Sequence, residues 1–146
     1  RQYDGVNSAG IDLKNDGVLI GRYESEDLFV DNSSGNVGIG TATPNSTLHN
    51  NGSFAGKYNA TATGITLDAT NYVVNVTATG QTITLPDAAS IEGRIYTIKL
   101  TASGSCTVAT SSSQTIDGSG SYSLASQYKY VTVMSDSSNW IVIANN

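Results

Sequence analysis

Apolar and polar residues alternate along much of the second half of the chain with the two-residue period of a β-strand. In "RIYTIKL" (94–100), Tyr96, Ile98 and Leu100 fall on one face, while Arg94, Thr97 and Lys99 mark polar positions. In "QTITLP" (81–86), Ile83 and Leu85 face one way and Thr82 and Thr84 the other. In "YVTVM" (130–134), Val131 and Val133 oppose Tyr130, Thr132 and Met134. Further strands are predicted at "GITLD" (64–68), "YVVNV" (72–76), "CTVAT" (106–110), "YSL" (122–124) and "WIVIA" (140–144). Short strands in close succession, separated by polar turns such as "DATN" and "SDSSN", predict a sandwich or a barrel. "WIVIA" is apolar on both faces, which predicts a central strand or one covered by a neighbouring subunit.

The first sixty residues follow a different logic. "GIDLKNDGVLIG" (10–21) and "DLFVDNSSGNVGIG" (27–40) share a layout of alternating strand, Asn/Asp/Gly turn, second alternating strand and glycine. Ile11, Leu13, Val18 and Ile20 correspond in it to Leu28, Val30, Val37 and Ile39. So few large apolar side chains bury too little surface to offset the entropy of ordering the segment alone. A thin apolar stripe becomes a core when symmetric copies of the chain wind about one axis. Leu13, Val18, Ile20, Val30, Val37 and Ile39 are therefore expected to line the interior of a trimeric stalk. In "NVGIG" the glycines would let three backbones approach the axis, and Thr43-Pro44 would end the regular shaft. The expected architecture is all-β: a slender intertwined trimeric β stalk and neck over 1–60, then a globular β-sandwich head over 61–146. That head is jelly-roll-like or of another two-sheet topology, since periodicity does not reveal strand order.

Composition sharpens this reading. Hydrophobic residues make up 38% of the chain and charged residues 13%. The apolar share is carried by β-branched and aromatic residues that suit a pleated surface, and no useful helical period occurs. The net charge is −5, and the basic residues are scattered, which excludes nucleic acid as a partner. No run approaches the roughly 18 apolar residues a membrane span needs, so no membrane insertion is expected. A single cysteine, Cys106, permits no intrachain disulfide and is read as a small buried strand residue, in keeping with assembly in a reducing cytoplasm. The first residue is Arg1 rather than Met, and the expectation is a C-terminal fragment or processed product of a longer protein.

Candidate chemistry is sparse. His49 is the sole histidine and lies in a Gly/Asn-rich stretch, with no G-x-S-x-G elbow and no His/Cys cluster of zinc-ligand spacing. No catalytic residue, metal or cofactor is expected. Glu24 and Glu26 in "YESEDLF" would share a strand face. They read first as solvated turn charges, then as a calcium or magnesium site, and last as paired catalytic carboxylates. "DNSSGN" (31–36) reads as an Asx-type turn closing a hairpin. Tyrosine carries the remaining signal, because its flat ring suits sugar and protein surfaces. "SGSYSLASQYKY" brings Tyr122, Tyr128 and Tyr130 close together, and the loops at 114–121 and 135–139 are candidates for an exposed rim. Tyr122, Tyr128, Asp136 and Asn139 are the candidate receptor contacts.

The segment "GNVGIGTATPNSTLHNNGS" (35–53) resembles the "GNVGIGT-x-x-P-x-x-x-L" segment of bacteriophage tail fibres, tailspikes and related trimeric adhesins. There it marks the passage from shaft to C-terminal module. The second half, through "TITLPDA", "GRIYTIKL", "TIDGSGSY" and "SDSSNWIVI", is similar to C-terminal head domains of viral fibres. The resemblance implies a non-enzymatic homotrimeric fibre tip on the virion surface, assembled in the host cytoplasm. Its head would attach to a host-surface glycan or protein, an N-terminal part would join it to other virion proteins, and Asn146 would end the fibre. The alternatives are a structural capsid- or tail-decorating trimer whose head registers assembly and, third, a glycan depolymerase.

Overall fold

The structure, a computed structural model, describes residues 9–13, 17–22 and 27–146. Among these residues there is no helix, and the chain divides into two compact units, Arg1–Ala55 and Gly56–Asn146.

The first unit is one five-stranded sheet in chain order: β1 (Ala9–Leu13), β2 (Gly17–Arg22), β3 (Leu28–Asp31), β4 (Val37–Ile39) and β5 (Leu48–Asn50). β1 to β4 pair antiparallel, whereas β5 lies parallel to β4 with Val37 opposite Leu48. "DNSSGN" forms the predicted Asx-type turn: an Asp31 carboxylate oxygen accepts from the Ser33 amide at 2.9 Å, and the Gly35 amide donates to the Asp31 carbonyl at 2.8 Å.

Within this sheet Gly38 of "NVGIG" has a local role. A Cβ on Gly38 would lie 2.1 Å from the Thr41 carbonyl oxygen, so the space beside Gly38 is filled from within the same chain. The Thr-Pro stretch does not leave the sheet. Thr41 Oγ1 accepts from the Thr43 amide at 3.1 Å, and the loop 40–47 returns the chain to β5. There the Val37 amide donates to the Thr47 carbonyl and the Asn51 amide to the Ile39 carbonyl, each at 2.9 Å.

The second unit contains β6 (Tyr58–Thr61), β7 (Ile65–Thr66), β8 (Val73–Val76), β9 (Gln81–Thr84), β10 (Ile95–Leu100), β11 (Cys106–Ala109), β12 (Ser121–Leu124), β13 (Tyr130–Ser135) and β14 (Trp140–Asn145). They form two mixed sheets, of order β14-β13-β10-β8-β6 and β12-β11-β9-β7. From β6 to β11 successive strands alternate between the sheets. β6, β8 and β10 are mutually parallel neighbours in one sheet, and β7, β9 and β11 in the other. The chain thus winds as three coils of a two-sided β-solenoid, each coil contributing one strand to each sheet. β12 then adds antiparallel to β11, β13 to β10, and β14 to β13. A wholly antiparallel jelly roll is not what these sheets show.

A short repeat marks the corners of the coils: Thr61-Ala62-Thr63-Gly64, Thr77-Ala78-Thr79-Gly80 and Thr101-Ala102-Ser103-Gly104. Hydrogen bonds at the starts of these corners join neighbouring coils, with the first corner offset by one residue from the second. The Thr77 amide donates to the Thr61 carbonyl at 2.8 Å, and the Thr101 amide donates to the Val76 carbonyl at 3.0 Å. Gly104 sits at φ +104°, and a Cβ there would lie 2.2 Å from Thr79 Oγ1 in the coil below.

Every coil sends its inward residues into one hydrophobic cluster shared by both sheets. Val74 stands opposite Ile98, Val76 opposite Leu100, and Ile83 opposite Val108, so like side chains stack from coil to coil. Cys106 is buried in this cluster. At its capped end Trp140 is fully buried, with its ring centroid 5.6 Å from that of Tyr96, whose hydroxyl donates to the Asp68 carbonyl at 2.9 Å. β14 is an edge strand, which corrects the expectation of a central one: Trp140 points inward, while Ile141 and Ile143 are exposed. The start of that edge is blocked by residues 115–117. The Trp140 amide donates to the Thr115 carbonyl at 2.8 Å, the Asp117 amide to the Trp140 carbonyl at 3.0 Å, and the Val142 amide to Asp117 Oδ1 at 3.0 Å.

Trp140→Ala is expected to cost the second unit about 3–5 kcal/mol, because the cavity opens at the meeting point of cap and coils. Ile143→Ala should stay within roughly 0.5–1 kcal/mol on the exposed side of the same strand. Urea unfolding followed by circular dichroism measures both.

Candidate functional site

Two sets of residues were singled out by the sequence, one in each unit. Cross-strand register places all six candidate stalk residues on one face of the first sheet. One row runs Leu13, Val18, Val30, Val37, Leu48 across the five strands, and the next runs Ile11, Ile20, Leu28, Ile39, Asn50. These rows hold no Asp, Glu, Lys or Arg. Where burial is described, the rows are only partly covered: Val18, Val30 and Val37 are half-buried, Ile39 is 43% exposed and Leu48 is 63% exposed. The opposite face, with Asp12, Leu19, Phe29, Gly38 and His49 in one row, is built differently. There Phe29 is buried, and a Cβ on Gly17 would lie 2.6 Å from its ring. On that side the Phe29 ring lies over Gly17 and Thr41 lies over Gly38.

The four candidate receptor residues do not converge in this way. Tyr122 stands in β12 opposite Val108 and packs, half-buried, against the core cluster. Asp136 and Asn139 belong to the turn between β13 and β14. One Asp136 carboxylate oxygen accepts from the Ser138 amide at 2.9 Å and from the Asn139 amide at 2.6 Å. Asn139 Oδ1 accepts from the Thr115 amide and hydroxyl, at 2.9 and 3.0 Å, and so ties this turn to the segment that blocks β14. These two polar side chains are occupied in holding loops. Tyr128, between β12 and β13, is 59% exposed, and Asp136 is exposed as well.

The groups considered for catalysis or metal binding give little to build on. Glu24 and Glu26 lie outside the described residues. His49 is half-buried in β5 rather than in a linker, and its Nδ1 accepts from the Asn45 amide at 3.4 Å. Among the described residues no group of three His, Cys, Asp or Glu side chains is arranged to hold a metal ion. Burial raises the pKa of the Cys106 thiol, which disfavours a reactive thiolate. Among the described residues no helix is long and apolar enough to cross a membrane.

Three aspartates owe depressed pKa values to turn hydrogen bonds. Asp31 is lowered first by the Ser34 hydroxyl, Asp68 by the Thr70 hydroxyl, and Asp136 by the Asn139 amide. No model of a known protein family matches the chain, and no curated protein is significantly similar to it.

Because folding lowers these carboxyl pKa values, the stability they contribute is present above the ordinary value of 3.8 and is lost as pH falls below it. The urea midpoint of the second unit is expected to drop below pH 3.8. Asp136→Asn should shrink that pH dependence and lower the midpoint at neutral pH.

Proposed function

We propose that this chain is the tip of a homotrimeric viral fibre or spike, its first unit forming the intertwined stalk and its second unit the head that attaches to a host-surface receptor. The observation that carries the reading is the uncharged apolar face of the first sheet, with Leu48 63% exposed and Ile39 43% exposed. Exposed apolar surface of this continuity is costly in water, at about 25 cal/mol per Å². A copy of the same face is an apolar and equally uncharged mate, and symmetry supplies it without further sequence. The match of "GNVGIGTATPNSTL" to the shaft-to-head segment of phage fibres supports the same assignment, since Leu48 of that segment stands in register with Val37 on the apolar face. Placement at the virion surface, and an attachment rather than enzymatic role, rest on that match.

Light scattering of the purified chain is expected to return three times its 15.2 kDa mass. Ile39→Asp should weaken association by more than about a hundredfold, because each copy would bury an unpaired charge. Asn36→Asp, in the turn, should leave assembly intact. A monomeric wild type overturns the reading. An assembled chain that neither binds host cells nor competes with virus for them retains only a structural, decorating role.

A further inference from the structure

The outer face of the solenoid sheet carries a built cluster that lies scattered along the sequence. Lys99 projects from β10 between two tyrosines. Its Nζ lies 5.9 Å from the Tyr128 ring centroid and 5.4 Å from that of Tyr130, and it donates to the Tyr128 carbonyl. Tyr128 has φ +67°, a left-handed conformation that side chains other than glycine rarely adopt. It is held there by its amide, which donates to the Leu100 carbonyl at 2.7 Å. Tyr130 is fixed in turn by its amide, which donates to Asn146 Oδ1 at 2.9 Å. On the next coil Asn75 stands directly opposite Lys99. Asn75 Oδ1 accepts from the Thr101 hydroxyl at 2.8 Å, and its Nδ2 donates to the exposed Tyr58 hydroxyl at 3.0 Å.

We propose that this surface is a saccharide-binding site. The Tyr128 ring, 59% exposed, offers a flat face to the C–H side of a pyranose, and Lys99 Nζ offers N–H groups to a hydroxyl or carboxylate oxygen of the same sugar. The Tyr58 hydroxyl, which accepts from Asn75, keeps its own proton to donate to an adjoining sugar. At about 4.8 Å between strands, Tyr130 and Asn75 are roughly 10 Å apart, which suits a disaccharide rather than a single ring. Preorganisation supports this use. A long flexible lysine ordinarily loses much rotamer freedom on binding, whereas Lys99 is already held by a carbonyl and two rings. Tyrosine adds contact area at low entropic cost. Among the described residues no Asp or Glu side chain is bonded within the cluster, so an acidic sugar meets the Lys99 charge on an otherwise acidic chain. The site deepens the attachment reading and rests on it for the source of the sugar. Repetition of the site in an oligomer would raise avidity where each contact is weak.

The test is an array of immobilised bacterial capsular polysaccharides and lipopolysaccharide O-chains, neutral and uronate-containing, probed with the full chain. Wild type should bind at least one member. Tyr128→Ala and Lys99→Met should each reduce that signal about tenfold or more, with Tyr128→Phe within about twofold of wild type. Near-ultraviolet circular dichroism from buried Trp140 verifies that each variant is folded. Loss on neutral sugars alone, or on uronate sugars alone, supports the site and tells which oxygen Lys99 takes. Wild type that binds no saccharide overturns the proposal, as do folded alanine and methionine variants that both bind as wild type does. Adhesion of the same proteins to host cells separates the two readings. Cells bound equally by wild type and variants refute the site and leave attachment standing, whereas cells bound by none, with the array signal present in wild type and lost in the variants, refute attachment and leave the site standing.

Discussion

In-register stacking of parallel coils is the constraint on which the second unit depends. Each coil buries its inward residues only against the coil above or below, so Val74 needs Ile98 and Ile83 needs Val108. Hydrogen bonds from Thr77 to Thr61 and from Thr101 to Val76 continue that pairing into the corners, and Gly104 admits the close approach to Thr79. Once the stack is fixed, its last coil must be closed. β12 and β13 do so by pairing antiparallel, and β14 extends one sheet further. The start of the edge so created is then blocked by Thr115 and Asp117, which shortens the template for unwanted strand pairing. Placement of Asn75 beside Lys99, and of Lys99 beside Tyr130, is a by-product of the same register.

The first unit obeys the opposite economy. Its strands are too short and too poor in large side chains to fold back as two layers. On one face Phe29 lies over Gly17, a contact available because glycine leaves room for a ring. The register of the other face lines up Val, Ile and Leu from every strand, and its Ile20, Ile39 and Leu48 are exposed. The two units thus bury apolar surface by different means: repetition along one chain in the second, and, in the proposed trimer, repetition between chains in the first.

Much of the inward set was legible in the alternation of side chains alone. That alternation placed Tyr96, Ile98, Leu100, Ile83, Leu85, Val131 and Val133 on buried positions, and all are buried. The paired layout of 10–21 and 27–40 likewise aligned Val18 with Val37 and Ile20 with Ile39, which share rows of one sheet. Alternation was silent on partners and direction. "WIVIA", apolar on both faces, left open a central strand or one covered by a neighbouring subunit, and in this chain it is an edge whose outward isoleucines are exposed. Asp136 and Asn139 were legible as polar loop residues, whereas their further use, in that loop's own turn and in its tie to Thr115, was not. The T-A-x-G corners were a readable signal for coils, since the same four-residue pattern precedes β7, β9 and β11.

By itself, the order of residues determined the all-β class, the faces that turn inward, the Asx turn at Asp31 and the thin apolar stripe of the first unit. Each of these follows from local geometry: a two-residue side-chain period, turn-forming side chains, and the reach of a few neighbours. Tertiary structure alone decided that β6, β8 and β10 run parallel, that Thr43-Pro44 returns the chain to its own sheet, and that Lys99 lies between Tyr128 and Tyr130. Those outcomes depend on which distant strand offers matching hydrogen bonds and a complementary buried row, a choice no single strand's pattern contains.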